Sequence, residues 1–172
     1  MLVNKKLLSI KAVGYYLSNL IGIVFLLLID QWTKQLAVIK LKGTNGIPII
    51  PKVFELFYLE NTGVAFGMMK NQKGFILCVT ILLVGVVFYA LHKIQHRNHF
   101  LYIRICLLLI LAGGIGNMID RIANGFVVDF FSFVLIHFPI FNVADIYIVV
   151  GTILFCIYIL FFNEENGVKE KE

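Results

Sequence analysis

Apolar side chains gather into four long runs, over residues 15–38, 75–91, 101–118 and 143–162, and polar residues gather between them. At ~1.5 Å per helical residue each run is long enough to cross the ~30 Å hydrocarbon core of a bilayer, so the pattern predicts four transmembrane helices. A helix satisfies its own backbone N–H and C=O groups, which is the condition for crossing lipid. The predicted fold is an all-α membrane bundle in a single domain, with no internal repeat or low-complexity linker. Two connections are long. Residues 39–74 include the stretch 53–59, where aromatic and β-branched residues alternate as in a strand, and a small extracytoplasmic β-sheet or half-barrel is expected there. The segment 119–142 returns the chain to the fourth span. Its apolar part, 126–138, is too short and too acidic to cross and is expected to be interfacial or re-entrant.

Composition agrees with this pattern. Hydrophobic residues make up 60% of the 172 and charged residues 15%, and the mean hydropathy is +0.91, which excludes an ordinary soluble domain. The first run is too long, and too interrupted by Asp30 and Lys34, to be only a secretory signal, and no small-x-small pattern closes it. Lys5, Lys6 and Lys11 before the first span, with Lys93 and Arg97 after the second, place both termini in the cytoplasm by the positive-inside rule. Lys40, Lys42, Lys52, Lys70 and Lys73 in the first outer loop reduce that bias. The net charge of +5 suits anionic membrane lipids, and with no basic stripe on a soluble face nucleic acid is not an expected partner. Cys78, Cys106 and Cys156 fall in different spans among Leu, Ile and Val and read as small hydrophobes. His92, His96 and His99 share the link after the second span without a carboxylate nearby, so neither metal nor cofactor is expected.

Four acids break the apolar pattern: Asp30, Asp120, Asp129 and Asp145. A charged side chain at the bilayer centre costs at least ~3 kcal/mol even on lenient insertion scales, so each needs a compensating reason. Counting ~1.5 Å per residue from Tyr15 puts Asp30 roughly 22 Å across, towards the outer boundary. Asp120 closes the third span at that boundary, Asp129 follows in the returning segment, and Asp145 lies in the first turn of the fourth span. All four converge on one layer. Asp30 and Lys34 stand at i and i+4 in the favourable order for a helical ion pair. Asp120 adjoins Arg121 and follows Asn117 on the same face, as in an ordering network. Asp145 could serve the helix start with Asn142 as its cap. Asp129 has only Phe and Val around it in sequence. A carboxyl in such surroundings should have a raised pKa, which suits a general acid or base. Two aspartates brought together would share one proton, and the pair could activate water and polarise a scissile carbonyl.

Five blocks carry these residues in order: Asp30-Gln31-Trp32-Thr33-Lys34, Asn61-Thr62-Gly63-Val64-Ala65-Phe66-Gly67, Gly116-Asn117-Met118-Ile119-Asp120-Arg121, Val127-Val128-Asp129-Phe130 and Phe141-Asn142-Val143-Ala144-Asp145. Together they resemble signal peptidase II, the bacterial lipoprotein signal peptidase, from about Asp30 to the end of the fourth span. The resemblance implies a membrane aspartic endopeptidase of the bacterial plasma membrane, with its site near the extracytoplasmic face. Its substrates would be diacylglyceryl-modified prolipoproteins, cut on the amino side of the lipidated cysteine. It implies Asp129 and Asp145 as the catalytic pair. It also implies Asp120, Arg121 and Asn117 as a supporting network, Asp30 and Lys34 as a brace, and Asn61, Gly63, Asn117, Arg121, Asn142 and Ala144 around the substrate. Val64 and Ile146 depart from the small residues usual at their positions. A monomer is expected.

The residues argue against other classes. An ion- or proton-coupled transporter would place its acids at the midplane and would show a repeated half. A presenilin-like protease needs Gly-x-Gly-Asp, whereas Gly114-Ile115-Gly116 is followed by Asn117. A membrane scaffold leaves the buried acids without a reason.

Overall fold

The structure is a computed structural model that describes residues 2–64, 68–69, 72–94, 100–136 and 138–168, with side chains from Lys11 to Phe161 within these. Ala65, Phe66 and Gly67 of the second block, and His96 and His99, lie outside the described residues. In chain order the elements are α1 (Leu2–Leu41), β1 (Ile47–Ile50), β2 (Phe54–Asn61), α2 (Lys73–Lys93), α3 (Leu101–Asn124), β3 (Val127–Phe133) and α4 (Val143–Val168). Each helix contains a stretch long and apolar enough to cross a membrane, over Lys11–Leu41, Lys73–Lys93, Leu101–Asn124 and Val143–Phe161. The helices outrun the apolar stretches because backbone hydrogen bonding does not stop where hydrophobicity does. In α3 it continues to Gly125, whose left-handed φ of 88° ends the helix while its N–H bonds Arg121 O. That extension puts Asn117, Asp120 and Arg121 on one continuous helix.

The bundle is built around α3, which packs on all three other helices. Its residues Leu107, Leu111, Ala112, Gly113 and Gly116 are buried, whereas Leu20, Phe25, Leu82, Phe88, Ile153 and Leu160 on the surrounding helices are exposed. Asp30, Lys34, Asn117 and Asp120 are buried as well, and charged groups kept inside with apolar side chains outside is the distribution a lipid solvent selects. Close approach is enforced by missing side chains. A Cβ on Gly116 would lie 2.5 Å from Asp30 Oδ2, and one on Gly113 would collide with the Ala144 carbonyl oxygen. Glycine at these two positions therefore lets α1 and α4 press directly on α3. Cys106 is buried in this core, but Cys78 and Cys156 are exposed on its outside, so of the three small hydrophobes only Cys106 is a core residue.

The sheet is antiparallel in the order β1-β2-β3. Leu59 pairs with Asp129, Glu60 with Val128 and Asn61 with Val127, after an irregularity between Leu56 and Leu59. The segment 126–138, expected as an interfacial or re-entrant piece, thus supplies the third strand. Its backbone groups find partners on β2, so the segment needs no helix to be satisfied. Val128 and Phe130 pack on Ala37 and Leu41, which seats the sheet on the end of α1. A second cluster of Leu91, Ile103, Leu107, Leu111 and Tyr158 fills the far end of the bundle.

Candidate active site

One turn of α1 begins the site. Asp30 and Lys34, four residues apart, point to α3, and Lys34 Nζ lies 3.0 Å from Asp30 Oδ2 and 3.2 Å from Asp120 Oδ2. The ammonium also donates to Asn117 Oδ1 at 3.0 Å. The remaining carboxylate valences are filled. Asp30 Oδ1 accepts the Ala144 N–H at 3.0 Å, Asp120 Oδ2 accepts the Val128 N–H at 3.1 Å, and Gln31 Nε2 donates to Asp30 Oδ2 and Asp120 Oδ1 at 3.1 and 3.0 Å. One buried cation therefore joins α1 to α3, and its two carboxylates join them to α4 and β3.

Asp120 does not pair with Arg121, against the expectation from their adjacency. Consecutive helical side chains diverge by about 100°, so neighbours in sequence face different ways. Arg121 instead donates to Gly63 O at 2.7 Å and Asn117 O at 3.3 Å. It thereby ties the end of β2 to α3, and its buried Nε–H has no partner among the described residues.

Asp129 and Asp145 meet through Asn142, a residue with no exposed surface. Asn142 Nδ2 donates to Asp129 Oδ1 at 2.6 Å, and its backbone N–H donates to Asp145 Oδ2 at 3.1 Å. The Asp145 N–H returns a bond to Asn142 Oδ1 at 3.1 Å, a reciprocal cap at the start of α4. Asn117 Nδ2 holds the other oxygen of Asp145 at 2.7 Å, and Asn61 Nδ2 holds the other oxygen of Asp129 at 2.8 Å. Asp129, without partners in its own segment, thus receives both from distant ones. Burial first, then the charge of Asp145, pushes the Asp129 carboxyl up to about 7. The amides of Asn61 and Asn142 oppose that rise without cancelling it.

A cavity of about 590 Å³ opens beside this pair. Asn61, Val64, Asn117, Arg121, Asp129 and Asp145 line its polar end, and Thr80, Val84, Val87, Ile110, Leu111 and Val149 extend it as an apolar trough between α2 and α4. Ile146 lines it too. The other anticipated residues stand behind the wall. Gly63 is buried and holds Arg121 through its carbonyl, while Asp30, Lys34, Asp120, Asn142 and Ala144 belong to the supporting network. Two contributors carried no anticipated role. Gln31 has a polar side chain inside an apolar span, a signal that was present. The α2 wall gave none, because a helix apolar on every side has no face to pick out.

Comparison with known proteins places the chain in a family. The family model described as Signal peptidase (SPase) II matches residues 22–161. The chain is 39% identical over 144 residues to a lipoprotein signal peptidase of Clostridioides difficile, covering 84% of this chain and 95% of that protein. It is 42% identical over 152 residues to the lipoprotein signal peptidase of Symbiobacterium thermophilum, covering 87% and 98%. A solved bacterial membrane enzyme, determined by the in meso method at 2.3 Å resolution, superposes with a TM-score of 0.73 at 29% identity, covering 83% of this chain and 87% of that one.

The buried network makes a stability prediction. Lys34→Met leaves the carboxylates of Asp30 and Asp120 facing each other without their cation, and breaking a buried pair in this way costs about 3–5 kcal/mol. Asp120→Asn keeps an acceptor for the Val128 N–H and should cost less. Thermal melts of the detergent-purified variants should rank parent above Asp120→Asn above Lys34→Met. A Lys34→Met protein that melts with the parent would show that the cation does not hold the bundle.

Proposed function

The chain belongs to the signal peptidase II family, and from that membership we propose that it removes signal peptides from prolipoproteins with Asp129 and Asp145 as its catalytic pair. It is a multi-pass membrane aspartic peptidase, which removes the alternative of an ion- or proton-coupled transporter. The observation that carries the residue assignment is the shared Asn142, which holds one oxygen of each carboxyl at one end of the cavity. Asp129, pushed up to about 7, keeps the shared proton. Asp145, in the first turn of α4, is the member on which the helix dipole favours negative charge. The Asp145 carboxylate takes a proton from water, and the resulting oxygen nucleophile adds to the scissile carbonyl carbon while Asp129 protonates the carbonyl oxygen. Asp145 then gives its proton to the departing nitrogen as the C–N bond breaks, and Asp129 recovers a proton from a hydroxyl of the tetrahedral gem-diol, which restores the pair. The Arg121 Nε–H, without a partner among the described residues, offers a donor for a peptide carbonyl alongside.

The substrate reading follows from the trough. Its aliphatic walls continue from the carboxylates into the apolar depth of the bundle and suit the acyl chains of a diacylglyceryl-modified cysteine, each buried methylene of which is worth ~0.8 kcal/mol. We place the carboxylate layer at the extracytoplasmic face and both termini in the cytoplasm. The basic residues before the first span and at the end of α2 support that orientation.

Purified protein should cleave a lipidated lipobox peptide before its modified cysteine and cut the unlipidated peptide poorly. Asp129→Asn and Asp145→Asn should each reduce turnover at least ~10²–10⁴-fold, the usual worth of a general acid or base. A well-folded variant of either with substantial turnover would exclude the two-aspartate mechanism. Turnover should also fall as pH rises through about 7, where Asp129 loses its proton. The linkage has the same sign. A folded-state pKa above the unfolded value of 3.8 means that stability declines as pH rises from that value towards about 7. Asp129→Asn should flatten this decline in melting temperature.

Orientation is tested separately. A cysteine introduced at Asn45 should react with a membrane-impermeant thiol reagent in intact cells, and one at Lys93 should not. Labelling in the opposite sense would invert the bundle.

A further inference from the structure

At the end of the bundle away from the carboxylates, a second polar cluster joins three helices. Arg104, in the first turn of α3, donates through Nε to Asn19 Oδ1 and through Nη2 to Ser18 Oγ, both on α1. Its guanidinium lies over the Tyr15 ring, 4.6 Å from the centroid. Tyr15 OH in turn donates to Leu91 O at 2.8 Å, and Tyr16 OH lies 2.7 Å from Nδ1 of His92 at the end of α2. The bland reading is a clamp between helices, and Asn19 and Ser18 do serve as one. That clamp uses two of the five N–H groups of a guanidinium. No described carboxylate lies within ion-pair distance of Arg104, and no acidic residue stands in the first turn of α3. A cation at the positive end of a helix dipole is electrostatically unfavourable by itself, and an anion would offset both charges.

Depth identifies the kind of anion. Arg104 precedes Asn117 by thirteen residues of α3, or ~20 Å at the helical rise, so it lies near the membrane boundary opposite the cavity. Aromatic residues mark the two boundaries: Trp32 is 64% exposed at one, and Tyr16 and Tyr102 are 39% and 70% exposed at the other. Exposed Leu17 and Leu101 flank the cluster on its apolar side. The cluster thus offers free guanidinium donors and tyrosine rings at headgroup level, with aliphatic side chains beside them. We propose that the remaining N–H groups of Arg104, a side chain positioned by Tyr15, Ser18 and Asn19 and flanked by the Tyr16–His92 pair, bind the phosphate of an anionic phospholipid in the leaflet opposite the active site. This site is distinct from the substrate cavity, and its failure would leave the peptidase reading untouched.

The test compares lipid retention by native mass spectrometry, after equilibration with phosphatidylglycerol and phosphatidylcholine of identical acyl chains. The parent protein should retain phosphatidylglycerol preferentially, and Arg104→Gln should lower that preference about fivefold, the worth of one basic residue at an anionic surface. Lys93→Gln removes the same charge at the same membrane boundary. Lys93 lies over Tyr89, outside the cluster, so this variant should keep most of the preference. Equal losses in the two variants would reduce the effect to diffuse charge and overturn the site, as would an unchanged Arg104→Gln. Release of the lipid by millimolar inorganic phosphate would overturn the lipid assignment. If Arg104→Gln does not fold, the parent protein decides: phosphatidylglycerol with a photoreactive headgroup should crosslink to residues 15–19 or to the first turn of α3. Adducts confined elsewhere would refute the proposal.

Discussion

The buried ammonium of Lys34 is the contact on which the rest of the molecule depends. It bonds Asp30 within α1 and Asp120 and Asn117 on α3. Through those partners it reaches the Ala144 N–H of α4 and the Val128 N–H of β3. Taking such charges out of water costs several kcal/mol per ion, which only good geometry and fully used hydrogen-bonding capacity can offset. Here the pairing is local at one step, i to i+4, and tertiary at every other. Register between the helices is consequently set by these polar contacts together with the close approach that the glycines of α3 allow, since lipid supplies no hydrophobic force between helices.

That fixed register makes the carboxylate pair possible. Holding two acids close together in a poorly solvated site raises the free energy of the doubly ionised state. The structure surrounds the two groups with neutral amides. Asn61, Asn117 and Asn142 satisfy the oxygens without adding a cation that would force both groups to ionise. A lysine in their place would favour ionisation of both carboxyls, against the general-acid role proposed for Asp129. The separation of Lys34 from the pair by a layer of asparagine is therefore as much a part of the site as the aspartates.

Glycine sets the geometry between these layers. Gly116 brings α3 against Asp30, and Gly113 brings it against the first turn of α4. A methyl group at either position would move Asp145 relative to Asn117, whose bond to it is 2.7 Å long. The apolar trough runs on from the same pair between α2 and α4, and under the proposed function it is where the peptide and the acyl part of one substrate meet a single continuous surface. At the far boundary Arg104 organises a different polar cluster, and the two ends of α3 carry opposite local electrostatics.

Much of this was legible in the residues themselves. Four spans follow from run length, because the hydrocarbon thickness dictates how many apolar residues a helix must supply. The Asp30–Lys34 pair follows from helical spacing, and the Asn142–Asp145 cap from its position ahead of an apolar run. Even the abnormal character of Asp129 was visible, since its flanking residues are all apolar. The partners of these groups were not visible. Adjacency suggested Arg121 for Asp120, yet the helix turns the two apart and delivers Lys34, 86 positions earlier in the chain. The segment 126–138 lacked a strand's alternation, being buried over Val127–Phe130, and only pairing with β2 made it one. Periodicity and local charge are properties of neighbouring residues, so the chain determined its spans, its caps and the strangeness of its acids. Which asparagine holds which aspartate depends on contacts between residues far apart in sequence, and only the packing of α1, α3, α4 and the sheet around one buried cation decided that.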